Sequence, residues 1–148
     1  MCKGQLLNSA ISLAVKAHEG QVDKGGNPYI LHALKVMHYT KSVDEEILAI
    51  AVLHDTIEDN KDITVETFIE YGMTERVVRG VLALTKMPGE SFNSYKLKVK
   101  SNADAVVVKM ADLRHNSDIR RLKGVTEKDI ARIAKYMAFY AELKDQTA

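Results

Sequence analysis

The sequence predicts an all-α fold, a single compact bundle of about 6–9 helices spanning residues 1–148. Three observations predict it. Apolar residues recur at three- and four-residue spacing along most of the chain, as in Leu6, Ala10, Leu13 and Ala17. Helix-starting residues precede several of these runs: Asp44 stands before Glu45 and Glu46, and Thr126 stands three residues before Asp129. The β-branched run Val106, Val107 and Val108 has no second such run to pair with, so it reads as a buried helical turn. A chain of 148 residues fits one domain and can bury most of its apolar surface around one core.

Taken in order, the first helix is placed at 4–18. Lys3 followed by Leu6 to Val15 has the outline of a signal peptide, but Asn8, Ser9 and Ser12 interrupt it. The segment Lys24-Gly25-Gly26-Asn27-Pro28-Tyr29 breaks the pattern and reads as an interhelical turn. An anion cradle built from its glycine N–H groups is the alternative. Further helices are expected at 30–41, 44–59, 65–71, 75–85, 91–100, 103–117 and 127–145. In the last, Ile130, Ile133, Met137, Tyr140 and Ala141 are expected to face the core.

Composition narrows the function classes. No uninterrupted apolar run reaches the ~18 residues of a membrane span. Trp is absent and aromatics make up 6% of the chain, which argues against a base-stacking surface for nucleic acid. The one cysteine, Cys2, can form no internal disulfide, which fits a reducing, cytoplasmic setting. The net charge of +1 hides an asymmetry: residues 1–62 carry six basic and nine acidic side chains, and residues 86–123 carry nine and four. An acidic patch for a cation facing a basic wall for phosphates is one reading; solvated helix faces are the other.

Histidines and carboxylates carry the chemistry. His54-Asp55 follows the apolar run Ile47 to Leu53, where a buried carboxylate needs a compensating charge. Glu58 and Asp59 come one turn later, so helical geometry sets Glu58 beside His54 and Asp59 beside Asp55. Asp112 interrupts a second apolar stretch, with His115 and Asn116 one turn on, and His32 follows the glycine turn. Two imidazoles and two carboxylates, His32, His54, Asp55 and Asp112, would together satisfy one divalent cation, and the mixed N/O set suits Mn²⁺, Fe²⁺ or Zn²⁺ better than Mg²⁺.

This order, H…HD…D, resembles the HD superfamily of metal-dependent phosphohydrolases. The absence of any histidine between Asp55 and Asp112 makes the chain look mononuclear. A closer resemblance runs through Ala17-His-Glu-Gly-Gln21, Gly26-Asn-Pro-Tyr-Ile30, Leu53-His-Asp-Thr-Ile-Glu-Asp59 and Val108-Lys-Met-Ala-Asp112 with Asn116. These segments look like the hydrolase domain of the RelA/SpoT alarmone enzymes and the stand-alone small alarmone hydrolases.

The resemblance implies removal of the 3′-pyrophosphate of guanosine 3′,5′-bis(diphosphate), by a water that Mn²⁺ activates. It implies His32, His54, Asp55 and Asp112 as metal ligands and Glu58 and Asp59 as the pair that orients and activates the water. Lys24 and Asn116 match positions that contact nucleotide or phosphate; Lys109, Arg114, Arg120 and Arg121 are further candidates for phosphate. His18 and Gln21 match the motif as supporting residues. The chain also departs from the pattern. Asp23 stands where the long alarmone enzymes carry a base-stacking Arg, which removes a planar cation and adds negative charge beside Lys24. In the ADRLHN motif the Arg is moved by one position, to Arg114. The partner implied is a small nucleotide, not nucleic acid or membrane, with self-association left open. Two alternatives stand beside this reading: an HD phosphohydrolase acting on another nucleotide, and a non-catalytic nucleotide-binding HD domain.

Overall fold

Side-chain caps set where most of the helices begin. In the computed structural model, which describes residues 2–148, α1 spans Gln5–Ala17, α2 Tyr29–Tyr39, α3 Glu45–Leu53, α4 Thr56–Asp59 and α5 Val65–Glu70. They are followed by α6 at Glu75–Ala83, α7 at Phe92–Lys100, α8 at Ala103–Asn116, a 3₁₀ turn at Ile119–Arg121 and α9 at Glu127–Thr147. Asp44 accepts a hydrogen bond from the N–H of Glu46, and Asn102 accepts one from Ala105. Thr126 and Asp129 close a reciprocal capping box at the start of α9. The valine run 106–108 lies within α8, so the fold is all-helical as the sequence predicts. Among the described residues no helix is long and apolar enough to cross a membrane.

The packing follows from where the apolar residues lie. In α3, Ala49, Ile50, Ala51, Val52 and Leu53 are all fully buried, and a helix apolar on every side belongs at the centre. Helices α1, α2, α6 and α8 surround it, and α9 lies over α8. Gly80 lets α6 approach closely, since a Cβ there would collide with the side chain of Ile50.

Two expectations fail. The helix expected at 44–59 breaks at His54–Asp55. There the side chains compete with the backbone for carbonyl acceptors: His54 Nδ1 lies 2.7 Å from the oxygen of Ala51, and Thr56 Oγ1 donates to that of Leu53 at 2.8 Å. His54 therefore ends one helix and Asp55 precedes the next. In α9 the buried residues are Phe139 and Leu143, with Tyr136 and Arg132 half-buried one and two turns earlier. Of the predicted stripe, Ile130, Met137 and Ala141 are exposed and only Ile133 and Tyr140 are half-buried. The helix carries two apolar stripes, and the edge-to-face meeting of Phe139 with Phe92 at 5.8 Å selects between them.

The glycine segment is a turn rather than an anion cradle. Both glycine N–H groups are used within it: Gly25 donates to Asp23 Oδ1 at 2.9 Å and Gly26 to the Asp23 carbonyl at 3.0 Å. Gly26 takes the left-handed conformation, φ 82°, that closes such a turn.

Candidate metal centre and active site

Four side chains from three helical regions converge beside the central helix. His32 lies in the first turn of α2, His54 and Asp55 at the break between α3 and α4, and Asp112 on α8. One ligand atom from each lies within 4.8 Å of all the others. His32, His54 and Asp112 are buried and Asp55 is half-buried. The helix break matters here, because it turns two consecutive residues toward the same point.

Hydrogen bonds on the far sides of the rings decide which nitrogen faces inward. His54 Nδ1 is directed at a carbonyl and must carry its proton there, which leaves Nε2 as the inward atom, 3.0 Å from Asp55 Oδ2 and 3.2 Å from Asp112 Oδ1. His32 Nε2 likewise lies 3.0 Å from Asp112 Oδ1. Its Nδ1 lies 2.8 Å from Nδ1 of His115, which stacks on it at 5.0 Å. Burial, together with the positive charge of Arg121, lowers the pKa of His115 to about 4, so its ring is neutral and its Nδ1 can accept a hydrogen bond from the Nδ1–H of His32.

The electrostatics of the cluster favours positive charge. Burial opposes ionisation of Asp112, but Lys109, His54 and His32 outweigh it and hold its carboxyl well below the usual range. Asp55 is likewise held at about 2, chiefly by His54 against the effect of burial. Against the same burial penalty, Asp55 and Asp112 raise the pKa of His54 well above its ordinary value. Two inward imidazole nitrogens and two ionised carboxylates are a donor set that fits a divalent cation. Tyr29 donates to Asp55 Oδ2 at 2.6 Å and Lys109 to Asp112 Oδ2 at 2.9 Å, fixing both carboxylates.

Glu58 and Asp59 lie exposed at the mouth of a cavity of about 290 Å³ that also bares Asp55, Asp112, Lys86 and Lys109. Partial burial and the neighbouring Asp55 and Asp59 carboxylates raise the pKa of Glu58 to about 7. Asp59 is raised as well, by burial and Asp55, while Gln21 Nε2 donates to its Oδ2 at 3.0 Å. Gln21 is in turn paired with buried His18, Nδ1 to Oε1 at 2.8 Å.

A second cavity, of about 280 Å³, adjoins the first and shares Tyr29 and Asn116 with it. Lys24, Asp23, Arg121, Arg132 and Tyr136 line it. Asn116 links the two, donating to Asp112 Oδ1 and accepting from Arg121 Nη1, both at 3.0 Å. Of the four further cations suggested for phosphate, only Lys109 and Arg121 reach a cavity. Arg114 lies over the ring of Tyr39 at 3.9 Å, and Arg120 pairs with Asp118 on the surface. The expectation for Asp23 is corrected too. Its charge does not stand free beside Lys24, because Oδ2 pairs with Arg121 Nη2 at 3.0 Å.

Tyr29, Lys86 and His115 belong to the site without a role expected from the sequence. His115, one turn from Asp112 on the same helix face, was the one with a visible signal.

A family model described as the HD domain matches residues 10–123. The chain belongs to the HD-domain family. This HD domain is similar to the RelA/SpoT-type proteins. It is 30% identical to a GTP pyrophosphokinase of Myxococcus xanthus over 156 aligned positions, covering 95% of the chain and 20% of that protein. To the GTP pyrophosphokinase rsh of Brucella ovis it is 33% identical over 150 positions, covering 93% and 20%. The HD domain thus spans about a fifth of the length of these curated relatives. Its fold also matches the solved structure of a metazoan ortholog of SpoT, a protein that hydrolyses ppGpp and plays a role in starvation responses. That match has a TM-score of 0.73 at 22% identity and covers 99% of this chain and 86% of the other.

Proposed function

We propose that this HD domain hydrolyses the 3′-pyrophosphate of guanosine 3′,5′-bis(diphosphate) or a closely related nucleotide, releasing inorganic pyrophosphate. One observation carries the reading: Asp55 and Asp112 of the cation-binding donor set open onto a cavity shared with Glu58, Asp59 and two lysines, and a second cavity large enough to receive part of a nucleotide adjoins it. His32, His54, Asp55 and Asp112 would hold one divalent ion, for which Mn²⁺ suits the mixed donors. Such an ion polarises a phosphoryl oxygen and makes a water more acidic.

The chain's own residues supply the remainder. Water attacks the phosphorus bonded to O3′, the P–O3′ bond breaks, and the proton of the water passes to a carboxylate while O3′ is protonated. Glu58, ionising at about 7, is matched to take a proton near neutrality, and Asp59, held by Gln21, orients the water. Lys86 and Lys109 face the charge that develops on the phosphoryl oxygens. Asn116 and Tyr29 stand where the nucleoside side of the substrate meets its phosphate side.

The test is turnover of guanosine 3′,5′-bis(diphosphate) by metal-stripped protein with and without added Mn²⁺, read as release of pyrophosphate. Mn²⁺-dependent release is expected. A protein that binds the nucleotide under both conditions and never cleaves it would instead be a non-catalytic binder.

A further inference from the structure

We propose that Arg121 is the residue against which the nucleobase of the substrate stacks, held in place for this by Asp23. The proposal rests on the nucleotide-hydrolase reading above. Three in-plane bonds fix the guanidinium. Nη1 donates to the His115 carbonyl at 3.1 Å and to Asn116 Oδ1 at 3.0 Å, and Nη2 donates to Asp23 Oδ2 at 3.0 Å. All five donors of a guanidinium lie in one plane, so these bonds set that plane and consume both hydrogens of Nη1. What remains for a ligand is the flat face and two N–H groups.

The support under Arg121 is itself built. Asp23 is held by its other oxygen, Oδ1, which accepts from the N–H groups of Gly25 and Asn27 at 2.9 Å each. Any side chain at Gly25 would collide with the Arg121 carbonyl, so glycine there lets the turn lie directly against this residue. The pair is largely enclosed, with side-chain exposures of 19% for Arg121 and 10% for Asp23. An arginine whose charge is balanced by a half-buried carboxylate is a poor phosphate anchor. Arg132, on the same cavity, is likewise paired, with Asp129 at 2.7 Å, which leaves Lys24 for phosphate. A planar, immobile, charge-balanced group suits a flat uncharged base, and it lines the cavity that opens beside the phosphoryl site at Tyr29 and Asn116.

The experiment measures binding of GDP and of inorganic pyrophosphate to the full chain with Mn²⁺, by calorimetry. Arg121→Gln and Arg121→Lys should each weaken GDP on the order of fivefold, the worth of one stacking contact, and leave pyrophosphate unchanged. Asp23→Asn, which frees one anchor of the guanidinium, should weaken GDP by less, about twofold to threefold, in a fold less disturbed. Wild-type affinity in Arg121→Lys would show that charge and not the plane matters, and would overturn the proposal. So would a parallel loss of pyrophosphate binding in Arg121→Gln. If wild type binds GDP and none of the three variants alters it, this inference fails and the hydrolase reading stands. If wild type binds pyrophosphate but no GDP, the nucleotide reading itself fails.

Discussion

Replacing Glu58 with Gln should make the metal-free protein more stable at alkaline pH and the enzyme much slower. Glu58 sits between the Asp55 and Asp59 carboxylates, and with partial burial these raise its pKa from 4.5 to about 7. A carboxyl whose pKa is higher in the folded than in the unfolded chain favours folding while it is protonated. That contribution is complete below 4.5 and is lost as pH rises through about 7. At about pH 8 the ionised group therefore carries its whole penalty. A shift of this size corresponds to roughly 3 kcal/mol for a fully buried group. Glu58 is exposed at the cavity mouth, and solvent screening reduces the figure to about 1 kcal/mol. Gln has the same shape and no proton to lose, so Glu58→Gln removes the penalty. In a domain of this size that raises the melting temperature by about 2–4 °C.

The assay is thermal unfolding of metal-stripped wild type and variant at about pH 5 and pH 8. The gap in melting temperature should open in favour of the variant as pH rises, while kcat with Mn²⁺ falls by roughly 10²–10⁴. A variant less stable than wild type at pH 8 would refute the argument, because Lys109 or Lys86 would then outweigh the carboxylate crowding. Unchanged kcat would remove Glu58 from the proton transfer.

Added Mn²⁺ should raise the melting temperature of stripped wild type by mass action, and Asp112→Ala should lose most of that response; equal shifts in both would mean the ligand set is wrong. Asp59→Asn should retain the metal-induced shift while lowering kcat by roughly 10²–10⁴, and loss of the shift would make Asp59 a ligand. Asp23→Arg should weaken nucleotide binding, because it sets a second guanidinium against Arg121 and strips the acceptor from Gly25 and Asn27; tighter binding would contradict the support role. Gly80→Ala should cost about 1–3 kcal/mol in unfolding measurements, since its methyl would press into Ile50; a neutral result would mean α6 and α3 separate freely.

Much of this was readable along the chain because its causes are local. Caps act over three residues, which is why Asp44 and Thr126 marked helix starts correctly. An acidic residue within an apolar run signals a needed charge partner wherever that partner lies, which is how Asp55 and Asp112 came to notice. A cation's need for further donors then points to His32, and the resemblance implies the same set. Even so, one local feature escaped. Hydrophobic periodicity carries no record of side chains capturing carbonyls, and the break at His54–Asp55 is produced by His54 and Thr56 doing that.

Tertiary structure decided what depends on elements far apart in sequence. His32 and Asp112 are 80 residues apart, and Asp23 and Arg121 are 98 apart. No pattern of three- and four-residue spacing can relate such positions; packing around α3 does. The face of α9 was settled in the same way. Ile130 and Met137 are as apolar as any core residue, yet the fit of Phe139 against Phe92 and the burial of Leu143 turned the other stripe inward. That choice brings Arg132 and Tyr136 to the second cavity. A helix with two usable faces has its orientation set by its neighbours, because burial depends on the surface each face meets and not on the hydrophobicity of the face alone.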